Sequence, residues 1–157
     1  MHIELRGASV YYEQHGAGKP DVLLLHGWGC ETALWKPVYE HLSRRRRVTV
    51  IDFPGHGQSG RPPVPWGAED FAAMTAELIE ALSLAPCDII AHSHGGRVAL
   101  LLAAERPELV GKMVLFWEEY VARVLTRALK SCKIDHIIVN EDMAYKAHSM
   151  ISPEMTK

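Results

Sequence analysis

The segment Ala91-His92-Ser93-His94-Gly95-Gly96 sits between two stretches of opposite texture. Before it, Asp88-Ile89-Ile90-Ala91 is a short, largely apolar run that predicts a buried strand. After it, the spacing predicts a helix from Gly95 to about Glu105, stopped ahead of Pro107. A serine on so tight a strand-to-helix turn projects its hydroxyl above the sheet. Strand and helix approach closely there, so residues two positions either side of the serine must be small. Gly95 meets that demand, and Ala91 adds only a methyl group to the more usual glycine. The following helix directs its dipole and free amides at any negative charge formed near Ser93. Ser93 is the candidate nucleophile.

Working outward, the pattern repeats. Val22-Leu23-Leu24-Leu25 is an unbroken apolar run that suits a parallel strand covered on both faces, and it ends in His26-Gly27. Residues 31–43 predict a helix, and Val48-Thr49-Val50-Ile51 a second buried strand. Pro62, Pro63 and Pro65 make 61–67 a rigid connector. Residues 68–83 predict an amphipathic helix with Phe71, Met74, Leu78 and Leu82 on one face. Val110 to Phe116 is a further strand, and residues 2–5 and 8–13 read as an N-terminal hairpin or meander. Strands alternating with helices specify an α/β fold, a mostly parallel sheet of about six or seven strands flanked by helices.

Acyl transfer through a serine needs two backbone donors for the tetrahedral oxyanion. The amide of His94, just after the nucleophile, is one candidate. The amide of Trp28, in the Leu25-His26-Gly27-Trp28-Gly29 loop after the first buried strand, is the other. A third motif, Asp52 to Gly60 (DFPGHGQSG), follows the next strand and is rich in turn residues. HGWG (26–29), DFPGHGQSG (52–60) and AHSHGG (91–96), in this order, resemble the α/β-hydrolase superfamily, in particular its serine esterase and carboxylic ester hydrolase branches. The resemblance covers residues 1–116. Serine at position 93 sets the chain apart from the haloalkane dehalogenases and epoxide hydrolases, whose nucleophile is aspartate.

That resemblance implies a triad in the chain order nucleophile, acid, histidine. Only 64 residues follow Ser93, too few for a full cap domain and the remaining strand–helix units, so the expectation is a truncated α/β-hydrolase fold. Within those residues, Ile137-Ile138-Val139-Asn140-Glu141-Asp142 puts two carboxylates just past a short strand, 136–139. Asp142 is the first choice of acid and Glu141 the second. His148 is the one histidine after them and the candidate base, whereas His136 precedes the strand. A base supplied by a second copy in a homodimer is the alternative.

The tail, 117–157, predicts a helix over 118–132 and then that strand. It resembles a fragment of the uroporphyrinogen decarboxylase and corrinoid methyltransferase family, in Asn140 to Lys146 and Ile151 to Met155. That family works through a whole β/α barrel. The resemblance therefore implies a fusion of two unrelated sequences at Phe116-Trp117, inside one domain that spans 1–157. A catalytically incomplete chimera, or one completed by dimerisation, is the second functional reading, and a tetrapyrrole- or corrinoid-related role is a third.

Composition narrows the partners. A net charge of −2 offers no basic field for nucleic acid or an anionic membrane. No apolar stretch reaches the length of a membrane span, and the N-terminus lacks the pattern of a signal peptide. Cys30, Cys87 and Cys132 stand far apart with no CxxC pair, which reads as reduced and cytoplasmic. The reaction expected of Ser93 needs no cofactor and no metal. Its partner is a small-molecule ester. His26 reads as a loop anchor, His56 as structural, and His92 and His94 as side chains directed away from the serine hydroxyl. Arg44 to Arg47 reads as a solvated helix end.

Overall fold

The computed structural model describes residues 1–117 and 136–139. Its centre is β3 (Asp21–Leu25), every residue of which is buried. Leu23, Leu24 and Leu25 have no solvent exposure. Each contributes about 1.5–3 kcal/mol through burial. Around it lie β1 (His2–Leu5), β2 (Ala8–His15), β4 (Val48–Ile51), β5 (Cys87–His92), β6 (Val110–Trp117) and β7 (His136–Val139). The seven strands run in the order β1-β2-β4-β3-β5-β6-β7. The β1/β2 and β2/β4 pairs are antiparallel, and every pair from β4 to β7 is parallel.

Strand order dictates where the helices sit. The chain steps from β3 to β4 in one direction, and from β4 to β5 and β5 to β6 in the other. Right-handed crossovers therefore place α1 (Lys36–Leu42) on one face and α2 (Ala68–Ala81) with α3 (His94–Glu105) on the opposite face. Side-chain alternation agrees. Leu23, Leu25, Ile51, Ile89 and Ala91 pack with Phe71, Met74, Leu78, Val98 and Leu102. Val22, Leu24, Val48 and Val50 pack with Trp35 and with the partly buried Val38, Tyr39 and Leu42 of α1.

Three details differ from the sequence expectation. The helix expected over 31–43 is a 3-10 turn, Thr32–Trp35, followed by α1 with Pro37 in its first turn. Proline has no N–H to lose in a first turn, so it marks a start rather than an interior. Second, β5 is buried on one face only, alternating between buried and half-buried residues. On its other face Ile90 is partly buried at the margin of the cluster around α1. Third, the arginine run is not uniformly solvated. Arg47 pairs with the buried carboxylate of Asp21, and Arg46 with Asp88 at 2.8 Å. Lys19 is also an ion-pair partner of Asp21. A buried carboxylate is held by paired cations, and Asp21 and Asp88 together draw two of the four arginines inward.

The strand His136–Val139 is present and lies parallel beside β6, with Trp117 opposite Val139. The expected helix over 118–132 and the residues after Val139 lie outside the described residues. Among the described residues, no helix is long and apolar enough to cross a membrane.

Candidate active site

Register brings the motif loops together. Leu25 is opposite Ala91, Ala91 opposite Leu115, and His92 opposite Phe116. The carboxyl ends of β3, β5 and β6 therefore stand level, and the loops leaving them share one rim. In a doubly wound parallel sheet this rim is where ligands bind.

Ser93 is the single residue between β5 and α3. Its backbone adopts φ 50° and ψ −111°, a region sparsely occupied by residues with a Cβ. Such a conformation stores about 1–3 kcal/mol and persists only when its surroundings over-determine it. They do so here. The Ser93 amide donates to the Phe116 carbonyl at 2.9 Å, and the Gly95 amide donates to the His26 carbonyl at 3.1 Å. A Cβ on Gly95 would lie 2.4 Å from the Leu25 carbonyl oxygen, so only glycine lets α3 start this close to β3. A Cβ on Gly27 would lie 2.6 Å from His92 Nδ1 and 3.2 Å from Ser93 Cβ, which places the HGWG loop against the turn.

That loop is tied down by His26, which is fully buried. The Phe53 amide donates to His26 Nε2 at 2.9 Å, so the ring proton resides on Nδ1 and is donated to the Gly27 carbonyl at 2.7 Å. Burial pushes the imidazole pKa down to about 4, because the protonated ring would lose hydration. With both nitrogens engaged, His26 holds loops and has no free nitrogen for acid–base work.

Asp52 anchors the loop that leaves β4 in the same way. It is 1% exposed, and accepts from the Thr32 amide at 2.6 Å and the Gln58 amide at 2.8 Å. Its own carbonyl accepts the Ser59 hydroxyl at 2.6 Å, and Ser59 Oγ in turn accepts the Tyr11 amide at 2.8 Å. Gly57 adopts φ +48°, and a Cβ there would collide with the Asp52 carboxylate at 2.1 Å. The DFPGHGQSG motif is thus a loop wound around one buried carboxylate. Sequence reading placed the loop but missed its organiser. The signal for it was an acid directly after a buried strand, followed by glycines that leave amides free to turn inward.

A cleft of about 230 Å³ opens over Ser93, lined by Trp28, Ser93, His94 and Arg97. Trp28 is 69% exposed, and its indole stands edge-on to His56 and His94 at ring distances of 4.9 and 5.5 Å. The His94 ring also packs on Phe71 and Phe53 at 5.0 and 5.6 Å. Burial, the Arg97 charge and His56 all hold its pKa below the ordinary histidine value. The buried ring atoms His92 Nδ1 and His94 Nε2 have no hydrogen-bond partner among the described residues. The amides of Trp28 and His94 likewise donate to no described residue, while those of Ser93 and Gly95 on either side of His94 are engaged. No described side chain bonds to the Ser93 hydroxyl. Asp142 and His148 lie outside the described residues, so of the sequence-predicted residues the described structure brings together Ser93, Trp28 and His94. Arg97 was not foreseen, although its spacing of one helical turn from Ser93 puts both on one side of α3.

The sequence profile described as the alpha/beta hydrolase fold matches residues 20–116, most of the chain. The chain belongs to the α/β-hydrolase family. Among curated proteins it is 37% identical over 111 residues to a pimeloyl-[acyl-carrier protein] methyl ester esterase of Aeromonas hydrophila, covering 68% of this chain and 40% of that one. It is 33% identical over 107 residues to an (E)-2-((N-methylformamido)methylene)succinate hydrolase of Acinetobacter baylyi, with the same shares covered. This α/β-hydrolase chain therefore spans about 40% of the length of these relatives. Among solved structures, an epoxide hydrolase without ligand superposes with a TM-score of 0.71 at 27% identity, over 74% of this chain and 41% of that chain. An N-acyl homoserine lactone degrading enzyme superposes with a TM-score of 0.72 at 22% identity, over 83% of this chain and 52% of that chain; this likeness concerns the fold alone.

Proposed function

We propose that this α/β-hydrolase chain carries the nucleophile and oxyanion portion of a serine hydrolase acting on small carboxylic esters. The observation that carries the reading is the strained turn at Ser93 with the unengaged amides of Trp28 and His94 beside it. An amide that donates to no protein group has its hydrogen bond open to whatever acceptor forms beside it. An anion forming at Ser93 is such an acceptor. The named relatives support a hydrolase, and the methyl ester esterase among them supports an ester as substrate.

In this mechanism Ser93 Oγ gives its proton to a base and adds to the ester carbonyl. The carbonyl oxygen becomes an oxyanion held by the Trp28 and His94 amides. Collapse expels the alcohol, which takes the proton back, and leaves an acyl-serine. Water, deprotonated by the same base, adds to the acyl carbon, and the acid leaves as Ser93 Oγ regains its proton. Asp142 and His148 are proposed as acid and base, with a base from a second copy as the alternative source.

A second reading is favoured by one observation: no described side chain accepts from the Ser93 hydroxyl. On that reading the chain is a catalytically incomplete remnant or chimera with an intact elbow. Labelling with a fluorophosphonate probe separates the two, with Ser93→Ala as control and mass spectrometry to place the adduct. An adduct on Ser93 means that a base is in reach and makes Asp142 and His148 the next variants. A folded sample that takes no label favours the incomplete reading.

A further inference from the structure

We propose that Arg97 makes the Ser93 cleft an anion-accepting subsite, and that the preferred esters are half-esters of short dicarboxylic acids, with the free carboxylate on the acyl side. This rests on the ester hydrolase reading of the same site and adds the substrate class to it.

The argument begins with the arginines. Among the described residues Arg6, Arg46, Arg47 and Arg106 each pair with at least one carboxylate, whereas Arg44, Arg45, Arg61 and Arg97 do not, and of these four Arg97 alone stands at the Ser93 cleft. Helical geometry sets its place. The Arg97 amide donates to the Ser93 carbonyl at 3.2 Å, so its side chain leaves α3 one turn beyond the serine. One turn rises about 5.4 Å, a distance that a few methylene groups span.

The rest of the cleft suits the same ligand. Its other walls are the exposed Trp28 indole and the His94 ring, which offer an apolar flank to a short methylene chain. Among the described residues no carboxylate lines it. Asp52, the acid behind the loop, is buried and committed to the Thr32 and Gln58 amides. The local field is therefore positive, from Arg97 and the start of α3. A guanidinium with open donors takes a carboxylate in a forked geometry that a point charge does not reproduce. A neutral acyl chain would leave that cation exposed and unused.

The test compares monomethyl glutarate with methyl butyrate in two measurements. The first is binding, read as the change in Trp28 emission, with Trp28→Phe identifying the Trp28 share of the signal. The second is hydrolysis, read as the ratio of kcat/KM for the anionic over the neutral ester. Wild type should prefer the anionic ester by about two- to fivefold at low salt, the range of an exposed ion pair. The preference should shrink as ionic strength approaches about 0.3 M. Arg97→Ala should bring the ratio toward one, Arg97→Lys should restore it in part, and Arg97→Glu should invert it. Turnover of both esters with the same ratio in wild type and Arg97→Ala overturns the proposal and leaves the hydrolase reading standing. Arg97-dependent binding of glutarate monoester without turnover of either ester keeps the subsite and removes the hydrolase reading. Neither binding nor turnover overturns both.

Discussion

Two sets of polar groups at this rim of the sheet are treated in opposite ways. The groups that hold the loops, His26 and Asp52, have their hydrogen-bonding capacity engaged: both imidazole nitrogens in one case, two backbone amides on the carboxylate in the other. Around Ser93, His92 Nδ1, His94 Nε2 and the Trp28 and His94 amides have no partner among the described residues. Satisfied groups stabilise a single arrangement, while unsatisfied ones retain free energy that a ligand can recover. Filled and open hydrogen-bonding capacity are thus divided between neighbouring loops, the filled set holding the loops in place and the open set facing the cleft.

The largest effect should come from removing the acceptor that organises the second loop. Asp52→Ala leaves the Thr32 and Gln58 amides without a partner and should cost about 4 kcal/mol in urea unfolding. A loss below about 1 kcal/mol would break the comparison, because the loop would then hold itself. Next is Gly95→Ala, whose methyl group meets the Leu25 carbonyl at 2.4 Å. Pushing α3 off β3 should cost about 3 kcal/mol and abolish any probe labelling of Ser93.

The third effect is a pH dependence. The His26 pKa is pushed down to about 4 in the folded chain, from 6.5 when unfolded. The unfolded state therefore binds more protons between these values, and stability falls as pH drops through the window. From pH 7 to about 4 the His26 contribution should fall by about 2–3 kcal/mol, and His26→Gln should flatten the slope there. His94 is shifted in the same direction and adds to the loss. The carboxyl groups of Asp21 and Glu13 are held below their ordinary values, so their loss begins lower in pH. A wild-type slope unchanged in His26→Gln would show that the imidazole is not the group being charged.

The smallest effect sharpens the contrast from the other side. Ser93→Gly removes a Cβ from a backbone at φ 50° and should stabilise the fold by about 1 kcal/mol while eliminating any nucleophile. Destabilisation instead would mean that the serine side chain contributes to holding the turn.

Much of this was legible in the residues. Val22–Leu25 announces a strand covered on both faces because a run without polar relief has nowhere else to go, and β3 is buried throughout. Ser93 with Gly95 announces the elbow because strand and helix approach so closely there that the residue two positions on must be small. His26 as a loop anchor was likewise readable. Burial of β5 was misread, since Asp88-Ile89-Ile90-Ala91 does not say whether a second helix lies over it. Arg46 and Arg47 were misread because a run of like charges looks solvated until carboxylates are found opposite.

The amino-acid sequence by itself determined the strand–helix alternation, the crossover handedness and the elbow, because each follows from local periodicity, chirality and steric need. Tertiary structure alone decided which polar groups are satisfied and which are left open. Leu25 opposite Ala91, and Ala91 opposite Leu115, are facts of register. That register aligns three strand ends and sets the loops that leave them side by side. Hydrogen-bond completion depends on partners distant in the chain, and no spacing within one motif encodes it.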